Sequence, residues 1–406
     1  MKTYKVDSIS KYLSILENFN ISDYIYRGQN EPYFSIQASG FRPYLGGWDS
    51  DKIYDMEHLH LAFFNRVIGQ LSNDEKKHFL AFCQHHGIPT NLVDVSYSPL
   101  VALFFACDGK TDFKFSIQEL IGSKSLDELE KDKSLQNMFI HNLINQARKP
   151  FYSPHAQTYL LKKERLINIT ELITKLNGKN LFEEILENQE VAFEFLDIID
   201  RHFSSLDSSV VISWLKNIIT TYLSVCEDDY NLNLSGNLCE SLKELLKSTP
   251  DIDEKFSKKI FAIIEDSIER SFSNNWYSKV TDKSNVSYLY GFILYEILNE
   301  LKKLPRKINI DLDIYFTYQP PELFGRISSQ QSFFIYQPYL HINDGVYDYC
   351  ELYLQSINPD VTIQIDNYES ILQELNLLGI NNGTIYGDID NIAKSIVKSS
   401  GKLLKS

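Results

Sequence analysis

FLAFCQHHGIPTNLVDVSYSPLVALFFACDG, Phe79 to Gly109, packs a paired histidine, a Gly-Ile-Pro-Thr turn, a carboxylate and a capped apolar helix into one stretch. Phe79 to Gln84 reads as a helix that stops at Gly87 and Pro89, because glycine takes a left-handed cap and proline cannot continue a helix. Leu92-Val93-Asp94-Val95 then reads as a short strand. Ser98-Pro99 reads as a helix start, with Ser as the cap, Pro in the first turn and Gly109 as the stop. The helix between them, Leu100 to Cys107, is apolar nearly all round and is expected to be buried. A strand-borne carboxylate, Asp94, therefore sits between two helices and close to the paired histidines His85 and His86.

Outward from this stretch, the earlier chain reads as mixed elements. Ser8 to Phe19 carries the three-and-four apolar spacing of an amphipathic helix, and Ile53 to Leu71 carries it again. Between them Tyr24-Ile25-Tyr26 is strand-like and delivers Arg27 to a strand end, with Gly28 beside it for a turn or a close backbone approach. Tyr33 to Arg42 alternates until Ser39-Gly40 breaks it, and Gly46-Gly47 marks a loop. After Gly109 the texture changes. From 111 to 306 the patterns are long and helical, including a helix opened by Asn168 and Glu171 and closed at Asn177-Gly178, and another opened by Asp251 and Glu254. Strand signals return at Ile308 to Tyr318 and Phe333 to Tyr339, with a polar loop, Pro320 to Gln331, between them. Val361 to Ile365 reads as a strand, and Tyr368 to Leu378 and Ile389 to Lys398 as helices. The fold class expected is α+β, with a mixed domain formed by 1–110 and 307–406 and interrupted by a helical domain over 111–306.

Composition narrows the functional classes. With 406 residues, 43% hydrophobic and 23% charged, the chain is an ordinary globular sequence with room for a large core. Forty Lys and Arg against 54 Asp and Glu leave a net charge of −14, which opposes tight non-specific binding to nucleic acid while permitting a local basic pocket. The cysteines, Cys83, Cys107, Cys226, Cys239 and Cys350, are odd in number and never paired as CxxC, a pattern of a reducing compartment. The first ten residues lack the apolar core of a signal peptide, and the longest uncharged apolar run, Pro99 to Cys107, is far below the roughly 20 residues that span a bilayer. These features set the expectation of a cytoplasmic protein without a membrane segment.

The motifs also resemble a known family. Tyr26-Arg27-Gly28-Gln29, then Ser39 and Arg42, then QHHGIPTNLVDVSYSPLVALFFA from Gln84 to Ala106 are similar to the FRG domain, named for its aromatic-Arg-Gly motif. Arg326-Ile327 with Gln330 and Phe334, and Ile371 to Ile396, resemble its later segments. The chain departs from the family pattern at His86, Asn91, Val95, Ser96 and Ser332. Asn91 and Val95 replace the Arg and Trp that a relative would place near Asp94. At the level of fold layout the pattern is similar to ADP-ribosyltransferase-like enzymes, which share an early Arg or His, a strand with a Ser/Thr turn and an apolar helix, and a late Glu or Gln.

That second resemblance implies a chemistry. Cleaving the nicotinamide bond of NAD passes through an oxocarbenium-like state, as glycoside hydrolysis does. Such a site needs a cation for the diphosphate, an aromatic face, and a late acceptor for the ribose. Arg27 suits the first because guanidinium grips phosphate oxygens in a fork. Its alternative is an ion pair with Asp94. For His85 and His86 the choice is between a ligand contact and capping of the preceding helix; no third residue is spaced to complete a metal site. Asp94 is either a cap or salt-bridge partner or a catalytic carboxylate, and Ser98 is read as a cap. Gln330 takes the late position, where an amide supplies no full negative charge, and Glu322 is the nearest acid.

The expected function is thus an NAD-directed ADP-ribosyltransferase-like or NAD-hydrolysing enzyme, with a bacterial toxin or phage-defence effector as its setting. The expected catalytic group is Arg27, His85, Asp94 and Gln330. The ligand-binding group is Tyr26, Gly28, Gln84, His86, Thr90, Arg326 and Phe334, with NAD as substrate and no metal. The alternative is a non-catalytic nucleotide- or modified-end-binding module whose helical region docks a protein partner; a nuclease is a third reading.

Overall fold

Eight strands form one mixed sheet, and the order in which they are joined explains why the two ends of the chain meet. The structure, a computed structural model, describes residues 2–30, 35–42, 54–110, 125–147, 155–227, 236–248, 259–260, 262–263, 286–302, 309–322, 325–343, 350–387, 392–393 and 396. Strands β1 (Lys2–Val6), β2 (Tyr24–Gln29), β3 (Leu92–Ser96), β4 (Ala156–Lys162) and β5 (Leu166–Asn168) come from the first half of the chain. The second half supplies β6 (Asn309–Ile310), β7 (Tyr315–Tyr318), β8 (Ser332–Tyr336), β9 (Tyr339–Asn343), β10 (Cys350–Gln355) and β11 (Val361–Ile365). The large sheet runs β1-β11-β4-β2-β3-β8-β7-β5, and β6-β10-β9 form a smaller one. Parallel pairing is found at both edges, β1 with β11 and β5 with β7, and antiparallel pairing between them.

The fold is α+β as read from the sequence, but the stretch 111–306 is not helical throughout. It contributes β4 and β5 to the main sheet, with β4 wedged centrally between β11 and β2. Its sequence, AQTYLLK, lacks a polar face because both faces are buried: Ala156 and Leu160 join one core, Tyr159 and Leu161 the other. The sheet and the helical region are therefore joined through shared strands rather than set side by side.

Strand alternation divides the sheet into two faces. Over the central strands one face is buried by a core that includes Ile25, Val93, Val95, Tyr159, Leu161, Phe333 and Ile335, while at the β1 edge Thr3 and Lys5 leave that face exposed. The other carries two separate cores. Over β1, β11, β4 and β2 lie helices α1 (Ile9–Leu16) and, near the middle of the sheet, the apolar Pro99–Cys107 helix, closed by Tyr12, Ala102, Leu103, Leu160 and Ile363. Over β3, β8, β7 and β5 lies the helical half of the chain. Its helices Leu181–Glu187, Gln189–Phe203, Ser208–Glu227 and Val286–Leu301 meet the sheet through contacts such as Phe195 on Phe316, with ring centroids 5.3 Å apart. Within that bundle Ser208–Cys226 is long and apolar enough to cross a membrane, and 50% of it is buried inside the protein.

Local signals hold where tertiary packing reinforces them. We name Met56–Val67 α2, Phe79–His85 α3 and Pro99–Cys107 α4. Ser98 caps α4 by accepting from the Val101 amide at 3.4 Å, and Gly109 follows it with φ +74°. Asn177 and Gly178, at φ 51° and 91°, end the helix Thr170–Leu176 as expected. The stretch Pro320 to Gln331, read as a loop, contains a short helix, Gly325–Ser329. The Gly46-Gly47 loop, most of the helix expected after Asp251 and most of the Ile389 to Lys398 helix lie outside the described residues.

Candidate functional site

Between the two cores of the shared face, the sheet itself opens. β2 and β3 are neighbours, yet they share a single register pair, Tyr26 opposite Ser96. In an undistorted antiparallel ladder Gly28 would face Asp94; here the strands part before reaching that pair. The gap is the floor of a cavity of about 450 Å³, lined from the sheet by Tyr26, Gly28, Asp94, Ser96, Ser332 and Phe334. These six residues share one face by alternation. Arg27, from the opposite parity, also lines it because the strands diverge beside it.

Gly28 explains half of the aromatic-Arg-Gly motif. A Cβ there would stand 1.8 Å from the Ala102 carbonyl oxygen and 2.6 Å from the Ala106 amide, so α4 lies directly on β2 only because residue 28 has no side chain. Tyr26, wholly buried, packs in the same core and donates its hydroxyl to the Ile21 carbonyl at 3.3 Å. With residues 26 and 28 pinned, Arg27 is held at the edge of the gap.

Arg27 is 8% exposed, and its Nη1 donates to the backbone carbonyl of Asp94 at 2.7 Å, spanning the parted strands. Its hydrogen bond to Asp94 is made with the backbone and not with the carboxylate, and its buried Nε has no hydrogen-bond partner among the described residues. Burial, reinforced by the like charge of Arg42 and opposed by Asp94 and Tyr159, pushes the Arg27 pKa down to about 10. It stays cationic at neutral pH. Arg42 lines the same cavity and is delivered by the one-turn helix Ser39–Phe41; it donates from Nη2 to the Gln37 carbonyl at 3.1 Å. Two guanidinium groups thus face one cavity in a protein of net charge −14.

Two carboxylates line the cavity, and they differ. The Asp108 Oδ2 accepts from the Tyr386 hydroxyl at 3.1 Å, which ties the end of α4 to the short helix Asn382–Tyr386, and the Asp108 carbonyl accepts from Asn30, just past β2, at 2.9 Å. Asp94 is exposed at the cavity surface and uses one oxygen, Oδ2, to accept from Gln84 Nε2 at 2.8 Å. Its Oδ1 makes no hydrogen bond among the described residues. Phe105, Tyr386 and Phe334 add aromatic surface to the walls.

The structure brings together Arg27, His85, Asp94 and Gln330, and with them Tyr26, Gly28, Gln84 and Phe334, around this one cavity. Gln330 is 5% exposed and partly committed: its Nε2 donates to the Ile385 carbonyl at 3.2 Å and its own carbonyl accepts from Ser96 Oγ at 2.7 Å. Thr90 and His86 are not among the lining residues. Thr90 is fully buried behind the wall, and His86 is exposed at the end of α3, its ring 4.3 Å from that of Phe82. Arg326 belongs to the Gly325–Ser329 helix, and its side chain lies outside the described residues. Glu322 is exposed and not on the cavity wall. No cluster of His, Cys, Asp and Glu suited to a metal occurs among the described residues.

Arg42 was absent from the expected site set, although it stood in the motif that carried the resemblance. Asp108 and Tyr386 had no sequence signal beyond their places at helix ends; only the meeting of the two chain ends puts them on one wall.

Residues 22–114 match the family model described as FRG domain. The match covers β2, α2, α3, β3 and α4, and ends before the segments holding Gln330 and Tyr386. No curated protein and no solved structure matches the chain.

Proposed function

We propose, for a chain whose residues 22–114 form an FRG domain, that the cavity binds NAD and cleaves its nicotinamide-ribosyl bond. The observation that carries this reading is the buried guanidinium of Arg27, whose Nε has no partner among the described residues and which lines one cavity with Arg42 and with Asp94, whose Oδ1 is open. A diphosphate suits the paired guanidinium groups of Arg27 and Arg42, which present N–H donors to the same cavity. Asp94 then faces the ribose. As the C1′–N bond breaks, its electron pair leaves with nicotinamide and positive charge develops on the ribosyl group, which a carboxylate stabilises. Water, or an acceptor nucleophile, forms the new bond to C1′ and gives up its proton. Phe105, Tyr386 and Phe334 offer ring faces to the departing base.

The charged role goes to Asp94, since the Gln330 amide carries no negative charge and Glu322 is not on the cavity wall. Gln330 has its amide bonded to Ile385, so it braces the wall formed by the Asn382–Tyr386 helix. That same engagement favours a second reading, a nucleotide-binding module without turnover, in which Asp94 only accepts from ribose hydroxyls.

Incubation of the purified protein with NAD, with release of nicotinamide followed by chromatography, separates the two. The enzyme reading expects turnover that falls about 100-fold or more in Arg27→Gln, the scale for removing one partner of a buried charged contact. Saturable binding of NAD with no nicotinamide release, and no labelled acceptor, would leave the module.

A further inference from the structure

Thr90 lies outside the cavity, yet its hydrogen bonds lead to the acid on the cavity wall. It is 0% exposed, directly after Pro89 in the turn between α3 and β3. Its backbone is gripped on both sides by the Ser39–Phe41 turn: the Thr90 amide donates to Ser39 Oγ at 3.1 Å, and the Thr90 carbonyl accepts from the Gly40 amide at 2.8 Å. Gly40 cannot be replaced without conflict, since a Cβ there would meet Met56 Sδ at 2.1 Å and the Thr90 carbonyl oxygen at 3.0 Å. The side chain, by contrast, points along α3. Thr90 Oγ1 accepts from the Leu92 amide at 3.1 Å and donates to Gln84 Oε1 at 2.5 Å. Gln84 Nε2 in turn donates to Asp94 Oδ2 at 2.8 Å.

The chain has one sense. Because the Leu92 amide is a donor, it meets a lone pair of Thr90 Oγ1, and the hydroxyl proton is free to go to Gln84. The Gln84 carbonyl oxygen is thereby fixed toward Thr90, which leaves its NH₂ for the carboxylate. The opposite amide orientation would set Oε1 against an anionic oxygen and leave the Thr90 hydroxyl proton without this acceptor. Thr90 and Asp94 thus hold Gln84 between them in one amide orientation, and Gln84 anchors one oxygen, Oδ2, of Asp94 and leaves Oδ1 for another contact.

We infer that Thr90 is a positioning residue for Asp94, acting through Gln84, and that it sets the geometry of the reacting carboxylate without touching the ligand. The inference rests on the proposed NAD-cleaving reading for its consequence, though not for its geometry. A carboxylate misplaced by a fraction of an ångström costs turnover far more than binding, and losses of about 10- to 100-fold are the ordinary scale of such misplacement. Arg27 and Arg42, held by other contacts, keep the diphosphate.

The test is a double-mutant cycle read by nicotinamide release and by calorimetric binding of ADP-ribose, with thermal melting to confirm folding. Thr90→Val, which keeps the shape and loses the hydroxyl, is expected to lower kcat about 10- to 100-fold while the ADP-ribose Kd changes less than about threefold. Thr90→Ser restores kcat. Gln84→Met breaks the same chain one step later, so Thr90→Val with Gln84→Met loses no more than the larger single loss. Multiplying losses, an unchanged kcat in Thr90→Val, or failure of Thr90→Ser to restore it, would overturn the inference. If Thr90→Val does not fold, Gln84→Met and Thr90→Ser decide it by the same two readouts. If the unsubstituted protein releases no nicotinamide, the proposed function falls. The positioning claim is then settled by the crystal structures of Thr90→Val or Gln84→Met: Asp94 turned from its place supports it, and Asp94 unmoved overturns it.

Discussion

Two buried arginines in this protein, Arg165 and Arg27, are almost equally withdrawn from solvent, at 9% and 8% exposed, and are treated in opposite ways. Arg165, between β4 and β5, is engaged through all three of its nitrogens. It donates from Nε to the Asp313 carbonyl at 2.7 Å and from Nη1 to the Asn358 carbonyl at 3.1 Å. It pairs with Asp313 and Asp360 at 3.2 and 3.4 Å and lies 4.6 Å above the Tyr315 ring. Arg27 has one carbonyl, one unpartnered Nε and a second guanidinium nearby. A buried cation whose donors are satisfied by the protein fastens elements together, here β5, the approach to β7 and the turn before β11. Arg27, with an Nε that has no hydrogen-bond partner among the described residues and a charged state disfavoured by its surroundings, is the cation that the proposed function assigns to an anionic ligand.

Substitutions break the comparison in graded steps. The largest effect on stability is expected from Arg165→Met, which strands the partly buried carboxylates of Asp313 and Asp360. Denaturant unfolding should show a loss of about 3–5 kcal/mol, the usual scale for removing one partner of a buried pair. Ligand binding by the folded fraction should be unaffected. Next is Gly28→Ala, whose Cβ has no space against the Ala102 carbonyl. Forcing α4 away from β2 should cost about 2–3 kcal/mol and displace Arg27, so stability and binding fall together.

Arg27→Gln should separate them. Removing a buried charge that faces Arg42 is expected to change stability by less than about 1 kcal/mol, because the loss of one hydrogen bond is offset by relief of desolvation. Binding of a diphosphate should fall about 100-fold. A stability loss as large as that of Arg165→Met would place Arg27 among the fasteners.

The smallest effect concerns pH. His60 on α2 contacts the Pro89 carbonyl through Nε2 at 2.8 Å, and burial, opposed by that contact, lowers its pKa below the usual 6.5. The unfolded chain therefore takes up a proton near pH 6.5 that the fold resists. Its contribution makes stability fall as pH drops below about 6.5. His60→Gln should flatten that part of the profile, read as denaturation midpoints at pH 7.5 and 5.5.

How much of this was legible in the sequence depends on whether local chemistry or long-range pairing set the outcome. The helix opened by Ser98 and closed near Gly109, the Asp94 strand and the strand carrying Arg27 follow from caps, turns and short apolar runs, and all are present. β4 was hidden because a strand buried on both faces shows no alternation, and it lies amid helical patterns. The Gly325–Ser329 helix, of one turn, was too short to register. Arg27, Asp94 and Gln330 were named as a group, and they share a cavity. The way each is held was not legible. The parting of β2 from β3 is a matter of register, Gln330's bond to Ile385 joins segments 55 residues apart, and Thr90's route to Asp94 runs through a side chain on another element. Arg42 is the instructive omission, since the residues before it, Ser39 and Gly40, clamp Thr90, and the clamp brings Arg42 to the cavity.

The central claim is that Arg27 is held open for an anionic ligand, and calorimetric titration of the purified protein with ADP-ribose tests it most directly. Saturable one-to-one binding is expected, weakened by about 100-fold in Arg27→Gln that is still folded by thermal melting. Absence of binding to the unsubstituted protein, or equal affinity in Arg27→Gln, would contradict it.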